Sequence, residues 1–353
     1  MVFAAASIGS LQNRNQFLGV AHNGNPNITV YPWYSTATDF VSKGFGTKFA
    51  DPGTLPTGQA FGVGFHPLGQ AVACAHFATP FITGYPFSSS GFGTKYTNPA
   101  TLPTNIGEDC SFSPDGLNLA VGFDGSPNVI VYPFTVASGY GTKYANPATL
   151  PAADGYNVEF STPGTDFAVS HVGTPYISVY PWSASGFGTK YANPGTLPPT
   201  HGQGVSFNST NAAIAVSNSV TSPYVTAWPW TTGTGFGTKY SDPASAINGN
   251  AHDVTFAPSG KQIAFASNNS PYLAAYEWTD ASGFGSRYSN PATLPAANCQ
   301  GVAFTMSGTD ICFAHDGSPR VTAYPWNPGY GTKYANPATL PTQTGNGVSF
   351  SAL

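Results

Sequence analysis

Charge is what this chain has least of. Asp, Glu, Lys and Arg together make up 7% of its 353 residues, against about 25% in an average soluble protein. Asn, Ser, Thr and Gly must therefore supply most of the polar surface. The net charge is −4, and without a basic stripe nucleic acid is not expected as a partner. There is no run of 18 apolar residues, so no membrane span is expected. Met1 to Ser10 is apolar but short and lacks a basic start, which argues against a signal peptide. The four cysteines, Cys74, Cys110, Cys299 and Cys312, have no metal-ligand spacing. They are expected to be packing groups of a protein folded in a reducing cytosol, or at least one that does not rely on disulfides. Helical periodicity is missing as well, and 41 Gly with 32 Pro leave no room for long helices. Gly-x-Ser-x-Gly, a Walker loop and His-Glu-x-x-His are all lacking, and nothing in the sequence ties any two of the 15 carboxylates together. On these grounds no enzyme activity and no cofactor or metal are expected.

What the chain does have is a repeat. Gly-(Phe/Tyr)-Gly-(Thr/Ser)-(Lys/Arg)-(Tyr/Phe) starts at Gly44, Gly91, Gly139, Gly186, Gly235, Gly283 and Gly329. A period in this range, built from strand-like segments, indicates a solenoid or a propeller. In the unit 301–341, Gly301–Phe304 reads as a first strand, Asp310–His315 as a second and Arg320–Trp326 as a third. Asp316-Gly317-Ser318-Pro319 supplies a turn, and the Gly-Tyr-Gly-Thr-Lys-Tyr tract an outer strand whose following prolines suit a solvent-facing edge. First strands end in Phe65, Phe112, Phe160, Phe207, Phe256, Phe304 and Phe350; second strands lead to His22, His76, Phe123, His171, Ser217, Ser267 and His315. The fold class this predicts is all-β: a seven-bladed β-propeller with four antiparallel strands per blade, one domain over 1–353. A closed ring hides the sheet edges. Residues 1–10 would form an N-terminal arm and 347–352 a closing strand in the blade begun by Phe17 to Trp33. Ile8 to Leu11 stands at the right distance before His22 to compete for that place.

The strand order and the tract Ser111-Phe112-Ser113-Pro114-Asp115-Gly116 resemble WD40-type propellers, although no Gly-His precedes the first strand and Tyr-Pro-Trp stands where that family has Trp-Asp. The repeat at 185–198, Ser-Gly-Phe-Gly-Thr-Lys-Tyr-Ala-Asn-Pro-Gly-Thr-Leu-Pro, is similar to WD40-like propellers in structural proteins of tailed bacteriophages. That resemblance implies a virion component (decoration, fibre or tail-associated), with other virion proteins as partners and adhesion to a host-surface glycan as a further role. The alternative is a soluble, multivalent carbohydrate-binding propeller, cytoplasmic or secreted.

Several repeated positions are candidate sites. Lys48, Lys95, Lys143, Lys190, Lys239, Arg287 and Lys333 share one position. At about 17 Å between neighbours, beyond a Debye length of about 8 Å, they act as separate charges that protect an outer strand. His22, His76, His171 and His315 stand too far apart for one metal ion and read as hydrogen-bonded turn residues. Trp33, Trp182, Trp230, Trp278 and Trp326 would stack on sugars in the lectin reading and pack between blades in the structural one. Positions that break the symmetry are more informative. The loop Tyr34–Lys43 is ten residues where its counterparts have two to four. It carries Asp39, Phe40 and Lys43, which with Val2 and Ile8 form the predicted docking surface. On the opposite rim the connections Asn105–Asp109, His201–Gln203, His252–Asp253 and Asn298–Gln300 differ from blade to blade, and the acids Glu108, Asp109 and Asp154 follow no calcium-loop pattern.

Overall fold

A computed structural model of the chain describes residues 16–35 and 42–351. These residues form seven antiparallel sheets and no helix. Blade 3 shows the plan: Gly107–Phe112 is innermost, followed outward by Asn118–Phe123, Val129–Thr135 and the two-residue strand Gly139–Tyr140. The innermost strands of blades 2, 4, 5, 6 and 7 are Ala60–Phe65, Gly155–Phe160, Gly202–Phe207, Ala251–Phe256 and Cys299–Phe304. That of blade 1 is Gly345–Phe350, paired antiparallel with Gln16–His22, so the C-terminal strand closes the ring. Each innermost strand lies beside the next in an unbroken cycle. The rival segment Ile8–Leu11 lies outside the described residues.

The outer strands are shorter than the sequence suggests. Most hold only the Gly-Phe or Gly-Tyr pair, and blade 7 keeps a single Trp326–Tyr330 bridge. The third strands explain this. Pro32, Pro86, Pro133, Pro181, Pro229 and Pro325 offer no N–H to an outer partner. Pairing therefore skips: Gly93 donates to the Pro86 carbonyl at 2.8 Å, and the ladder resumes only where Tyr96 donates to Gly84 at 3.0 Å. In blade 6 Glu277 replaces the proline, and the outer strand there runs five residues, Gly283–Arg287.

Repeated side chains join blade to blade. Tyr85 donates its hydroxyl to the Thr54 carbonyl in the connection leading into its blade, at 2.7 Å; Tyr31, Tyr132, Tyr180, Tyr276 and Tyr324 do the same with Thr339, Thr101, Thr149, Ser245 and Thr293. In blade 5 the indole of Trp228 does so with Thr196. The Ala-Thr-Leu-Pro part of the repeat is thus a carbonyl presented to the next blade. The repeated lysines are held locally, as where Lys143 meets Asn146 at 2.6 Å. His22, His76, His171 and His315 are buried and bonded to Thr29, Thr83, Ser178 and Thr322 at 2.9 to 3.0 Å, the structural role expected of them. In blade 5 the equivalent residue is Asn218 rather than Ser217, since Asn218 pairs with Gly202 as His171 pairs with Gly155. All four cysteines are buried free thiols.

Four glycines on the innermost strands let neighbouring blades touch. A methyl on Gly62 would lie 2.6 Å from Asp109 Cα, and one on Gly347 2.4 Å from the Phe61 carbonyl. Gly204 and Gly301 are similarly crowded by Asp253 and Asn346. Gly62→Ala is expected to lower stability by about 1–3 kcal/mol, the usual cost of overpacking. Gly53→Ala, with nothing within 4 Å of its added methyl, should stay within about 0.5 kcal/mol. Urea denaturation of the two variants would test this, and equal midpoints would refute it.

Candidate functional site

At their outer ends the seven innermost strands are uniform, each finishing in the phenylalanine that packs against a blade tryptophan or its equivalent. At their starting ends they are not. Each strand carries a β-bulge at its second residue, so that residue has no partner opposite it. A bulge re-aims a side chain, and bulges often stand beside functional sites. The seven residues are Asn346, Phe61, Glu108, Tyr156, Gln203, His252 and Gln300, and all seven line one cavity of about 710 Å³ at the mouth of the central channel. One strand register that is constant at one end and diverse at the other separates what builds the ring from what the ring presents.

Below the bulge ring, the third residues of the strands form a second tier: Gly62, Asp109, Asn157, Gly204, Asp253, Gly301 and Gly347. Its polar members are committed to the scaffold. Asp109 accepts from Asn157 Nδ2 at 2.8 Å and from the Val158 N–H at 3.2 Å. Asn157 accepts from Val205 at 3.0 Å, and Asp253 from Val302 at 2.9 Å and Val254 at 2.8 Å. Each satisfies a main-chain donor on the exposed inner edge of the following blade. Deeper still, Glu159 accepts from the Phe207 N–H. These are carboxylates in structural use.

The upper tier differs. Among the described residues, the side chains of Glu108, Tyr156, Gln203 and His252 make no hydrogen bond within the chain, whereas Gln300 holds Asp316 at 3.1 Å and Asn346 binds the Ala60 carbonyl at 2.7 Å. Burial, reinforced by Asp124, Asp154 and Asp109, pushes Glu108 up to about 8. Burial lowers His252, with Asp316 opposing the shift. At neutral pH the mouth therefore holds a protonated carboxyl and a neutral imidazole, facing one cavity from blades 3 and 6. Burial also raises the acids beneath the mouth, Asp109 to about 6 and Asp253 to about 7 in the lower tier and the deeper Glu159 to about 8. Among the described residues no group of three or more His, Cys, Asp or Glu could hold a metal ion, and no helix is long and apolar enough to cross a membrane.

The residues singled out from the sequence fall elsewhere. Trp33, Trp182, Trp230, Trp278 and Trp326 are 1 to 7% exposed and packed edge-on against neighbouring rings, as Trp182 is on Phe160 at 5.3 Å and Phe187 at 5.0 Å. They leave no open ring face for a sugar. Val2, Ile8, Asp39 and Phe40 lie outside the described residues; Lys43 is exposed beside the outer strand of blade 1. Of the differing rim connections, those holding Glu108, Gln203, His252 and Gln300 do meet at the mouth, but Phe61, Tyr156 and Asn346 were missed. Aligning the units on their terminal phenylalanines would have found all seven, four residues before each Phe.

No protein-family model and no curated protein matches the sequence. Solved structures do match across the chain. A Bacteroides fragilis protein provisionally called a 6-phosphogluconolactonase aligns with TM-score 0.72 at 11% identity, over 97% of this chain and 99% of its own. A counterpart from Bacteroides uniformis, provisionally given the same activity, gives 0.71 at 12%, over 96% and 100%. The periplasmic gluconolactonase of Pseudomonas aeruginosa gives 0.69 at 16%, over 96% and 99%. At such identities the likeness shows the fold, a seven-bladed propeller. It also corrects the expectation of a non-enzymatic virion component or lectin, because these three propellers, each matched over nearly the whole chain, are named for a lactonase activity. The expectation that the chain is no enzyme rested on the lack of a contiguous motif, whereas the mouth draws one residue from each blade.

Proposed function

We propose that the chain is a hydrolase of lactones, acting at the channel mouth. The observation that carries this reading is the pairing of a protonated Glu108 with a neutral His252 on one cavity, neither used by the scaffold. Opposed shifts of two free titratable groups mark acid and base assignments. The names of the structural neighbours support it. His252 takes a proton from water as the water oxygen bonds to the lactone carbonyl carbon. The tetrahedral oxyanion collapses, the ring C–O bond breaks, and Glu108 protonates the departing ring oxygen. The imidazolium proton is lost to solvent, Glu108 regains one, and the hydroxy acid leaves as its carboxylate. Tyr156, on the blade next to that of Glu108 and lining the same cavity, is the proposed donor to the oxyanion.

The test is acid release from five- and six-membered lactones by the full chain, after subtraction of spontaneous hydrolysis. His252→Ala and Glu108→Ala are each expected to lower kcat/KM by about 10²-fold or more. A folded wild-type protein giving no rate above background on any of these lactones would overturn the proposal.

A further inference from the structure

The matched propellers divide over phosphate, and the mouth of this chain decides between them. Resting on the lactonase reading, we infer that the substrate is an unphosphorylated polyhydroxy lactone and that this site rejects a phosphorylated one. Sites that take phosphate supply Arg or Lys, or bundles of free main-chain N–H donors. Here, among the described residues, no Lys or Arg lines the cavity, while Glu108, Asp109, Asp253 and Asp316 do. The repeated cations stand at the outer edge of the blades, on or just past the outer strands, Lys261 lines a separate cavity, and Arg320 sits in the turn beyond Asp316 without reaching the mouth. Three of the inner-edge N–H groups that could have bound an anion, those of Val158, Val205 and Val302, are already taken by Asp109, Asn157 and Asp253.

What the mouth offers suits an uncharged sugar ring. Gln203 has both donors and an acceptor free for hydroxyl groups, and Glu108 adds a donor while protonated. Phe61 and Tyr156, on the blades either side of Glu108, add aromatic surface to the cavity on which the C–H face of a ring could rest. A dianionic phosphate would meet no cation among the described residues here and would face the carboxylates of Asp109 and Asp316 across a half-enclosed space, where charge repulsion is stronger than in bulk water.

The experiment compares kcat/KM of the full-length protein on D-glucono-1,5-lactone and its 6-phosphate. A preference of about tenfold or more for the unphosphorylated lactone is expected, and added salt should narrow it by screening the repulsion. Gln203→Lys should also narrow the ratio. Equal or better use of the 6-phosphate would overturn the inference and leave the lactonase reading standing. Hydrolysis of neither compound would defeat that reading, and the inference with it.

Discussion

A chain ending at Leu340 is expected not to fold cooperatively. The missing segment is the innermost strand of blade 1, and the ring cannot close without it. Gly345–Phe350 pairs with Gln16–His22 through Leu18–Phe350, Gly19–Ser349 and Val20–Val348. Phe350 is buried and meets Trp33 edge-on at 5.3 Å. Ser351 locks the join twice: its N–H donates to the Phe17 carbonyl at 2.9 Å and its hydroxyl accepts from the Phe17 N–H at 2.9 Å. A buried Phe contributes about 1.5–3 kcal/mol and each net hydrogen bond about 1 kcal/mol. Half a dozen such bonds plus that side chain rival the 5–15 kcal/mol by which whole domains are stable. The truncation also exposes the inner edges of blades 2 and 7, which pack on Gly347 and Val348. Far-ultraviolet circular dichroism and dye binding should show a loose, aggregation-prone chain. Adding a peptide of residues 341–353 should restore a sharp melt. A truncated protein that melts cooperatively within about 5 °C of the full chain would show that closure runs through another segment.

The ring was legible because its determinants recur locally. Seven outer tracts, seven terminal phenylalanines and seven turns each announce one blade, and the chain ends share a blade because one supplies a second strand and the other a first. The buried tryptophans and the histidine bonds were legible for the same reason, each being part of a repeat that must pack. Outer-strand length was not, since it depends on whether Pro86 or Glu277 faces the partner across the sheet. The site was harder still. Glu108 and His252 lie far apart in sequence, on blades 3 and 6, and become neighbours of one cavity only when the circle closes. The bulge that turns them to the mouth leaves no mark in composition, because it comes from pairing register. Their altered proton affinities come from burial, which no local pattern carries. Reading contiguous motifs therefore finds the scaffold and passes over chemistry assembled one residue per blade.

Thermal stability should fall as pH rises from about 6.5 to 9, the reverse of a protein held by salt bridges. Glu108 and Glu159 are raised to about 8, Asp253 to about 7 and Asp109 to about 6. A carboxyl raised on folding favours the native state while protonated and loses that contribution as pH climbs through its folded value. His22, His76, His171 and His315, lowered by burial to about 4, act oppositely. Their contribution is complete above about 6.5 and lost as pH falls toward 4. The two sets offset one another between pH 4.5 and 6, giving a level stretch. Above it the carboxyls titrate, joined toward pH 9 by the four buried thiols, which ionise only in the unfolded chain and act in the same direction, and Tm should drop by on the order of 5 °C, moderated because the channel mouth is open to water. Activity should follow a bell, with an acid limb below 6.5 from His252 and an alkaline limb near 8 from Glu108. Two variants separate the roles. Glu108→Gln should flatten the Tm slope and lose the alkaline activity limb along with most of the rate. Glu159→Gln should flatten the Tm slope but keep the alkaline limb, since Glu159 serves the Phe207 N–H beneath the mouth. A Tm that is constant or rises from pH 6.5 to 9 would refute the buried-acid account. An alkaline limb that survives in Glu108→Gln would take the general-acid role away from Glu108.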